Sequence, residues 1–144
     1  MGCLMLIKEV EKKLSGKHVV IIGRSNLNGK PMAQLMLREN CTVTIVHSKT
    51  KNIKQECLKA EILIAAAGVP KLVKEDWIQK NCIVIDVGIN NLDGKIVGDT
   101  DYDNIKNHVH YSCTRWCWPN DYCLSIAKYL SMLQKIKLLK VYKL

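Results

Sequence analysis

The sequence predicts an α/β fold, a parallel sheet with flanking helices in a single domain, and three observations carry that prediction. Short apolar runs of strand type alternate with segments of helical period along most of the chain, the pattern of strands joined by helical crossovers. The runs are continuous and rich in Val and Ile rather than alternating with polar residues, as suits strands buried on both faces. The length of 144 residues fits one domain, with enough chain to bury a sizeable core.

The elements follow in order. Leu4, Ile7, Val10 and Leu14 recur at helical spacing, so residues 3–14 read as an amphipathic helix that Ser15-Gly16 stops. His18–Ile22 is the first strand. A glycine-containing loop, Gly23 to Lys30, leads into a helix whose first turn tolerates Pro31 and whose apolar face holds Met32, Leu35 and Met36. Thr42–Val46, with its β-branched residues, is the second strand. Residues 51–60 read as helical. Ile62–Ala65 is the third strand, closed by Gly68-Val69-Pro70, and a short helix around Lys74–Lys80 precedes a fourth strand, Ile83–Asp86. Leu92-Asp93-Gly94-Lys95 is a turn, expected in a small hairpin before Val97.

Composition narrows the class. The chain is 48% hydrophobic and 24% charged, an ordinary globular balance. No apolar run reaches the ~18 residues a membrane helix needs, and the N-terminus lacks the basic start of a signal peptide. The net charge is +9. Part of that excess lies after His108, where Arg115, Lys128, Lys135, Lys137, Lys140 and Lys143 face the single acid Asp121. These lysines carry no interleaved aromatic motif, so they read as a solvated face, with neither nucleic acid nor membrane expected as a partner. The alternative is a basic interaction module for nucleic acid or a membrane surface that uses this Lys-rich tail. Cys3, Cys41, Cys57 and Cys82 lie scattered in apolar or helical contexts, as free thiols of a reducing cytoplasm do.

The strand–loop–helix–strand over residues 17–50 is the opening unit of a Rossmann-type domain. In such sheets a ligand binds outside the carboxyl ends of the strands. Gly23 permits the tight turn, Gly29 permits close backbone approach, and the following helix is expected to point free N–H groups at a pyrophosphate. Ser25 stands where the common G-x-G-x-x-G pattern has its second glycine, so an ordinary strand–turn–helix stays open on pattern alone. NAD sites place an acid near the end of the second strand to grip the ribose 2′-hydroxyl. Here that region reads His47-Ser-Lys-Thr-Lys51, hydroxyls and cations without an acid, with Arg24 nearby. A 2′-phosphate wants such partners, so NADP is expected over NAD.

Several motifs in series then resemble one family. They are Gly23-Arg-Ser-Asn-Leu-Asn-Gly-Lys-Pro-Met32, Val46-His-Ser-Lys-Thr50, Ala65-Ala-Ala-Gly-Val-Pro70, Val84-Ile-Asp-Val-Gly-Ile-Asn90 and Val97-Gly-Asp99. In order and spacing these are similar to the C-terminal half of the bifunctional methylenetetrahydrofolate dehydrogenase/cyclohydrolase family, from about Gly2 to about His108. Asn28 departs from the family, which usually has valine there. The resemblance implies NADP (or NAD) held through Gly23, Arg24, Ser25, Ser48 and the backbone at Ile89, with Lys49 a second-rank candidate for the 2′-phosphate. It implies oxidation of 5,10-methylenetetrahydrofolate to the methenyl form with NADP, then hydrolysis to 10-formyltetrahydrofolate, by homodimers.

Two departures bear on activity. Relatives carry about another domain's length before this point, with the catalytic lysine and most of the folate pocket; Met1-Gly2-Cys3 falls inside the segment that joins their domains, so helix 3–14 is expected to be the inter-domain helix. No catalytic residue is therefore assigned, folate is expected only if the other domain is supplied, and the chain alone is expected to be an inactive fragment. The second departure lies at the back. The family continues Ile-Thr-Pro-Val-Pro-Gly-Gly-Val-Gly-Pro-Met-Thr-Ile-Ala, whereas this chain has His110 to Cys123. Joining the third base of each family codon to the first two of the next yields every one of these residues: xGG gives Arg115 and Trp116, TGT gives Cys117, TGG Trp118, CCC Pro119, AAT Asn120 and GAC Asp121. One inserted base near the Lys106-Asn107 codons suffices. His108, His110, Cys113, Cys117 and Cys123 look like a zinc cluster, but only Cys113-x3-Cys117 has a usual ligand spacing and the same reading explains those letters from Tyr111 on, so no metal is expected. The expected organisation is thus an NAD(P)-binding Rossmann domain over residues 1–108 and an aberrant, partly helical tail over 109–144.

Overall fold

A computed structural model describes residues 2–105 and 109–112. Five strands form one parallel sheet. β1 is His18–Ile22, β2 Thr42–Val46, β3 Ile62–Ala65, β4 Ile83–Asp86 and β7 Val109–Ser112, in the order β2-β1-β3-β4-β7. The register runs without a break: Val20 lies beside Thr44 and Leu63, and Leu63 beside Val84. β5 (Asn90–Leu92) and β6 (Lys95–Val97) form a separate antiparallel hairpin. Asp93 and Gly94 both have positive φ there, 51° and 78°, the backbone of a tight two-residue turn. The described helices are α1 (Gly2–Val10), α2 (Gly29–Arg38) and α3 (Ile53–Cys57).

The continuous apolar runs are buried as their composition requires. Every residue of β3 and β4 is buried, and β1 is buried beyond His18. Val20, Ile22, Leu63, Ala65 and Val84 share one face and pack with Val46, Cys57, Ala60, Val73, Ile78 and Cys82. Val19, Ile21, Ile62, Ile64 and Ile85 alternate with them on the other face and are equally buried. The edge strand β2 is more exposed, and Thr42 and Thr44 stand among its polar positions.

The elements are shorter than the sequence patterns suggest. The helix expected over 3–14 ends at Val10 because the Glu11 carboxylate takes the Lys13 N–H (3.2 Å) in place of the helical ladder. Leu14 is still buried, held in the turn where Lys17 N–H donates to its carbonyl. The segment expected helical over 51–60 is helical over Ile53–Cys57, preceded by Asn52 in the left-handed region. Around Lys74–Lys80 a single 3₁₀ turn, Glu75–Trp77, replaces a helix, since Ile78 returns to extended backbone. The sheet also continues past the expected boundary at residue 108, because β7 pairs along the whole of β4. The tail helix and the residues Cys113, Cys117 and Cys123 lie outside the described residues.

Candidate functional site

All strands of the sheet are parallel, so the segments that leave β1, β2, β3 and β4 gather at one edge. Gly23 N–H donates to the Val46 carbonyl (2.8 Å), which seats the loop after β1 directly beside the loop after β2. Arg24 and Ser25 on the first loop and Ser48 and Lys49 on the second are all exposed there. Ile89, 62% exposed, belongs to the segment after β4, beyond β3. The expected site residues therefore fall into one close group around β1 and β2 and a single outlier around β4.

The loop after β1 is built backbone on backbone. Gly23 has φ +115°, and a Cβ on it would overlap the Ala66 carbonyl. A Cβ on Gly29 would overlap the Gly23 carbonyl in turn. Ser25 closes the loop: its Oγ accepts the N–H groups of Asn28 (3.0 Å) and Gly29 (3.3 Å), and its carbonyl accepts Lys30 N–H (3.0 Å). Pro31 has no N–H, and Met32 N–H already donates to Asn28.

This corrects the expectation that the first turn of α2 offers its N–H groups to a phosphate. The turn spends them on Ser25. Within this loop, the backbone donors without an acceptor among the described residues are the N–H groups of Arg24, Ser25, Asn26 and Leu27. The Ser25 hydroxyl keeps its own proton to give. The helix dipole still points at this loop. Asn28 is half-buried and makes no side-chain cap.

The loop after β2 is a compact turn. His47 N–H donates to Thr50 Oγ1 (3.0 Å), Thr50 N–H to the His47 carbonyl (2.8 Å), and Lys49 N–H to His47 Nδ1 (3.1 Å). These bonds leave Ser48 and the Lys49 side chain outward. Arg24, Lys49 and Lys51 make no ion pair among the described residues. Uncommitted donors and cations, with no carboxylate beside them, fit a phosphorylated ligand.

Two buried acids organise the other side. Asp86 ends β4, and its carboxylate accepts the N–H groups of Gly88 (2.9 Å), Asp99 (3.0 Å) and Thr100 (2.9 Å) and the Thr100 hydroxyl (2.6 Å). Asp99 follows β6. Its Oδ2 accepts Ala67 N–H (2.6 Å) and Gly68 N–H (2.8 Å), and its Oδ1 accepts Asn90 Nδ2 (2.8 Å). Both acids are buried, and the donors around them offset the cost of burial. A Cβ on Gly88 would collide with the Asp99 carboxylate, and one on Gly98 with that of Asp86. The residue-by-residue reading assigns these acids no role. The signal available was an aspartate closing an otherwise apolar strand, and two glycines flanking a hairpin. Among the described residues no group of His, Cys, Asp or Glu could hold a metal ion.

Sheet order, crowded glycine loop and uncommitted donors together define a Rossmann-type nucleotide-binding domain. Residues 1–114 match the family model described as "Tetrahydrofolate dehydrogenase/cyclohydrolase, NAD(P)-binding domain". The chain belongs to that family. It is 62% identical over 106 residues to the "Bifunctional protein FolD" of Pelagibacter ubique, covering 74% of this chain and 38% of that protein. The protein of the same description from Clostridium tetani is 55% identical over 104 residues, covering 72% of this chain and 37% of that one. Among solved structures, the bifunctional FolD enzyme of Campylobacter jejuni superposes with a TM-score of 0.73 at 42% identity, covering 77% of this chain and 40% of that chain. The Trypanosoma brucei enzyme, described as complexed with NADP cofactor and inhibitor, gives 0.69 at 33% identity, covering 76% and 40%. The chain thus spans well under half the length of the relatives it matches. No described helix is long and apolar enough to cross a membrane.

Proposed function

We propose that this chain is the cofactor-holding half of a cytoplasmic methylenetetrahydrofolate dehydrogenase/cyclohydrolase and that its ligand is NADP. The observation that carries the reading is the junction of two loops: unpaired N–H groups over residues 24–27, beside a second loop that offers Ser48 and Lys49 and no acid. The pyrophosphate would lie on the Gly23–Ser25 backbone and the Ser25 hydroxyl. The 2′-phosphate would be shared by Arg24 and Ser48, with Lys49 behind them. Ile89 would meet the cofactor through its backbone N–H, which has no partner among the described residues.

Bound NADP would supply the hydride acceptor; this chain's residues hold and orient it. Oxidation of 5,10-methylenetetrahydrofolate and hydrolysis of the methenyl product belong to the whole enzyme, with folate bound by the portion of the relatives that this chain does not span. Homodimerisation is expected on the same footing. The test is titration of the chain with NADPH, followed by nicotinamide fluorescence. A saturable change supports the reading. A flat response up to millimolar cofactor overturns it.

A further inference from the structure

The geometry points to Asp99 as a positioning residue for the half of the cofactor that lies beyond the phosphate loop, an inference that rests on the NADP reading above. A dinucleotide on a sheet of this kind straddles the point where strand order reverses. Here that point lies between β1 and β3. The phosphate loop and the Ser48 turn occupy the exits of β1 and β2. The other half of the ligand must therefore rest over the exits of β3 and β4, which are the segments Ala66–Pro70 and Val87–Ile89.

Between Ala66 and Pro70, and between Val87 and Ile89, the backbone is neither helix nor strand. Val69 and Ile89 stand exposed on the two segments. What joins the segments is the Asp99 carboxylate. One oxygen takes two N–H groups of the first, Ala67 and Gly68, and the other takes the Asn90 amide at the end of the second. Asp99 is itself fixed from behind, since its N–H donates to Asp86 (3.0 Å) and its carbonyl accepts Val73 N–H (3.0 Å). Gly88 leaves the space the carboxylate occupies. Support of the hairpin alone would not account for this arrangement, because two of the three donors to Asp99 come from the β3 exit, about thirty residues earlier. A charged acceptor shared by two loops sets their spacing, and that spacing forms the wall against which the second half of a dinucleotide would lie.

The test compares two ligands on the full 144-residue chain. NADPH spans both halves of the site, whereas adenosine 2′,5′-bisphosphate reaches only the phosphate loop and the Ser48 turn. Asp99→Asn keeps the volume but sets an amide donor against a donor on one side. NADPH affinity is expected to fall about tenfold, the worth of one hydrogen bond to a charged group, with the bisphosphate changed by less than about twofold. Asn90→Ala cuts the β4 tie alone, spares the N–H bonds to Ala67 and Gly68, and is expected to act in the same direction should Asp99→Asn not fold. An equal loss for both ligands, or no loss for either, overturns the role of Asp99. Wild-type protein that binds both ligands equally well also overturns it and leaves the NADP reading standing. Wild-type protein that binds neither overturns both.

Discussion

The Asp86 carboxylate accepts the backbone N–H of Asp99 at 3.0 Å, while Asp99 spends its own carboxylate on Ala67, Gly68 and Asn90. The two acids act in series through a peptide group, so neither has to share a donor with the other. Asp86 alone serves four donors from three residues.

Removing that hub should be costly. Asp86→Ala leaves buried N–H groups at Gly88, Asp99 and Thr100 without their acceptor. A loss of about 3 kcal/mol or more is expected, since each unsatisfied buried donor costs on the order of 1–3 kcal/mol. Urea denaturation followed by circular dichroism measures it. A change below about 1 kcal/mol would show that water or a shifted loop replaces the carboxylate.

The glycine loop gives a sharper contrast. Gly29→Ala drives a methyl into the Gly23 carbonyl, a backbone group that cannot swing aside. A cost of about 1–3 kcal/mol from overpacking is expected, together with loss of cofactor binding. Gly94→Ala, where φ is 78° but nothing stands within contact, should cost only about 1 kcal/mol and leave binding intact. Thermal melts with and without NADPH separate the two.

These contrasts show what the sequence made legible. The strands at 18–22 and 42–46 can be placed to the residue, because the run of Val and Ile after His18 and the β-branched run of Thr, Val and Ile from Thr42 both favour extended backbone. Gly23 and Gly29 are equally legible as turn residues. Helix ends are not, because they depend on which side chain captures an N–H, as Glu11 does for Lys13 and Ser25 for Asn28 and Gly29. The Asp86–Asp99 relay joins residues from three separate loops, and no local pattern encodes that pairing.

Arg24 should decide between cofactors. It is exposed, and no carboxylate among the described residues neutralises it. Arg24→Ala is expected to weaken NADPH by about tenfold or more and NADH by little, as loss of a charge-assisted phosphate contact would. Parallel fluorescence titrations measure the ratio. Equal weakening of both would move the 2′-phosphate to Ser48 and Lys49.

The core thiols should be inert. Burial pushes the Cys57 and Cys82 thiols up to about 12, and the Cys41 thiol is raised for the same reason. Thiolate is the reactive form, so iodoacetamide at pH 8 should leave these three unmodified in the folded protein and modify them in urea. Peptide mapping by mass spectrometry reads each site. Rapid labelling of Cys57 in native buffer would mean that the core opens easily.

Acid should weaken one surface clasp. The Lys17 ammonium, hydrogen-bonded to Glu61 at 2.8 Å, holds the Glu61 carboxyl below its ordinary value, helped by the His18 N–H. Its contribution is therefore present above about pH 4.3 and fades as pH falls through the lowered folded-state value. Lys17 is raised by the same hydrogen bond, so its share holds below about pH 10.4 and fades as pH rises past that. Both groups are partly solvent-exposed, which limits the effect to less than about 1 kcal/mol. Glu61→Gln should flatten the acid limb of a stability–pH curve by that amount, and high salt should do the same to the unmodified protein.

The strand β7 also covers one side of β4 at the end of the sheet. Val109–Ser112 occupies the outer hydrogen-bonding row of β4, a strand with no exposed residue. A chain cut back to residue 108 would present that row bare, as an adhesive template for any extended peptide. Such a shortened version should form oligomers or precipitate as its concentration rises. Shortening the protein for crystallisation or expression should therefore stop no earlier than Ser112.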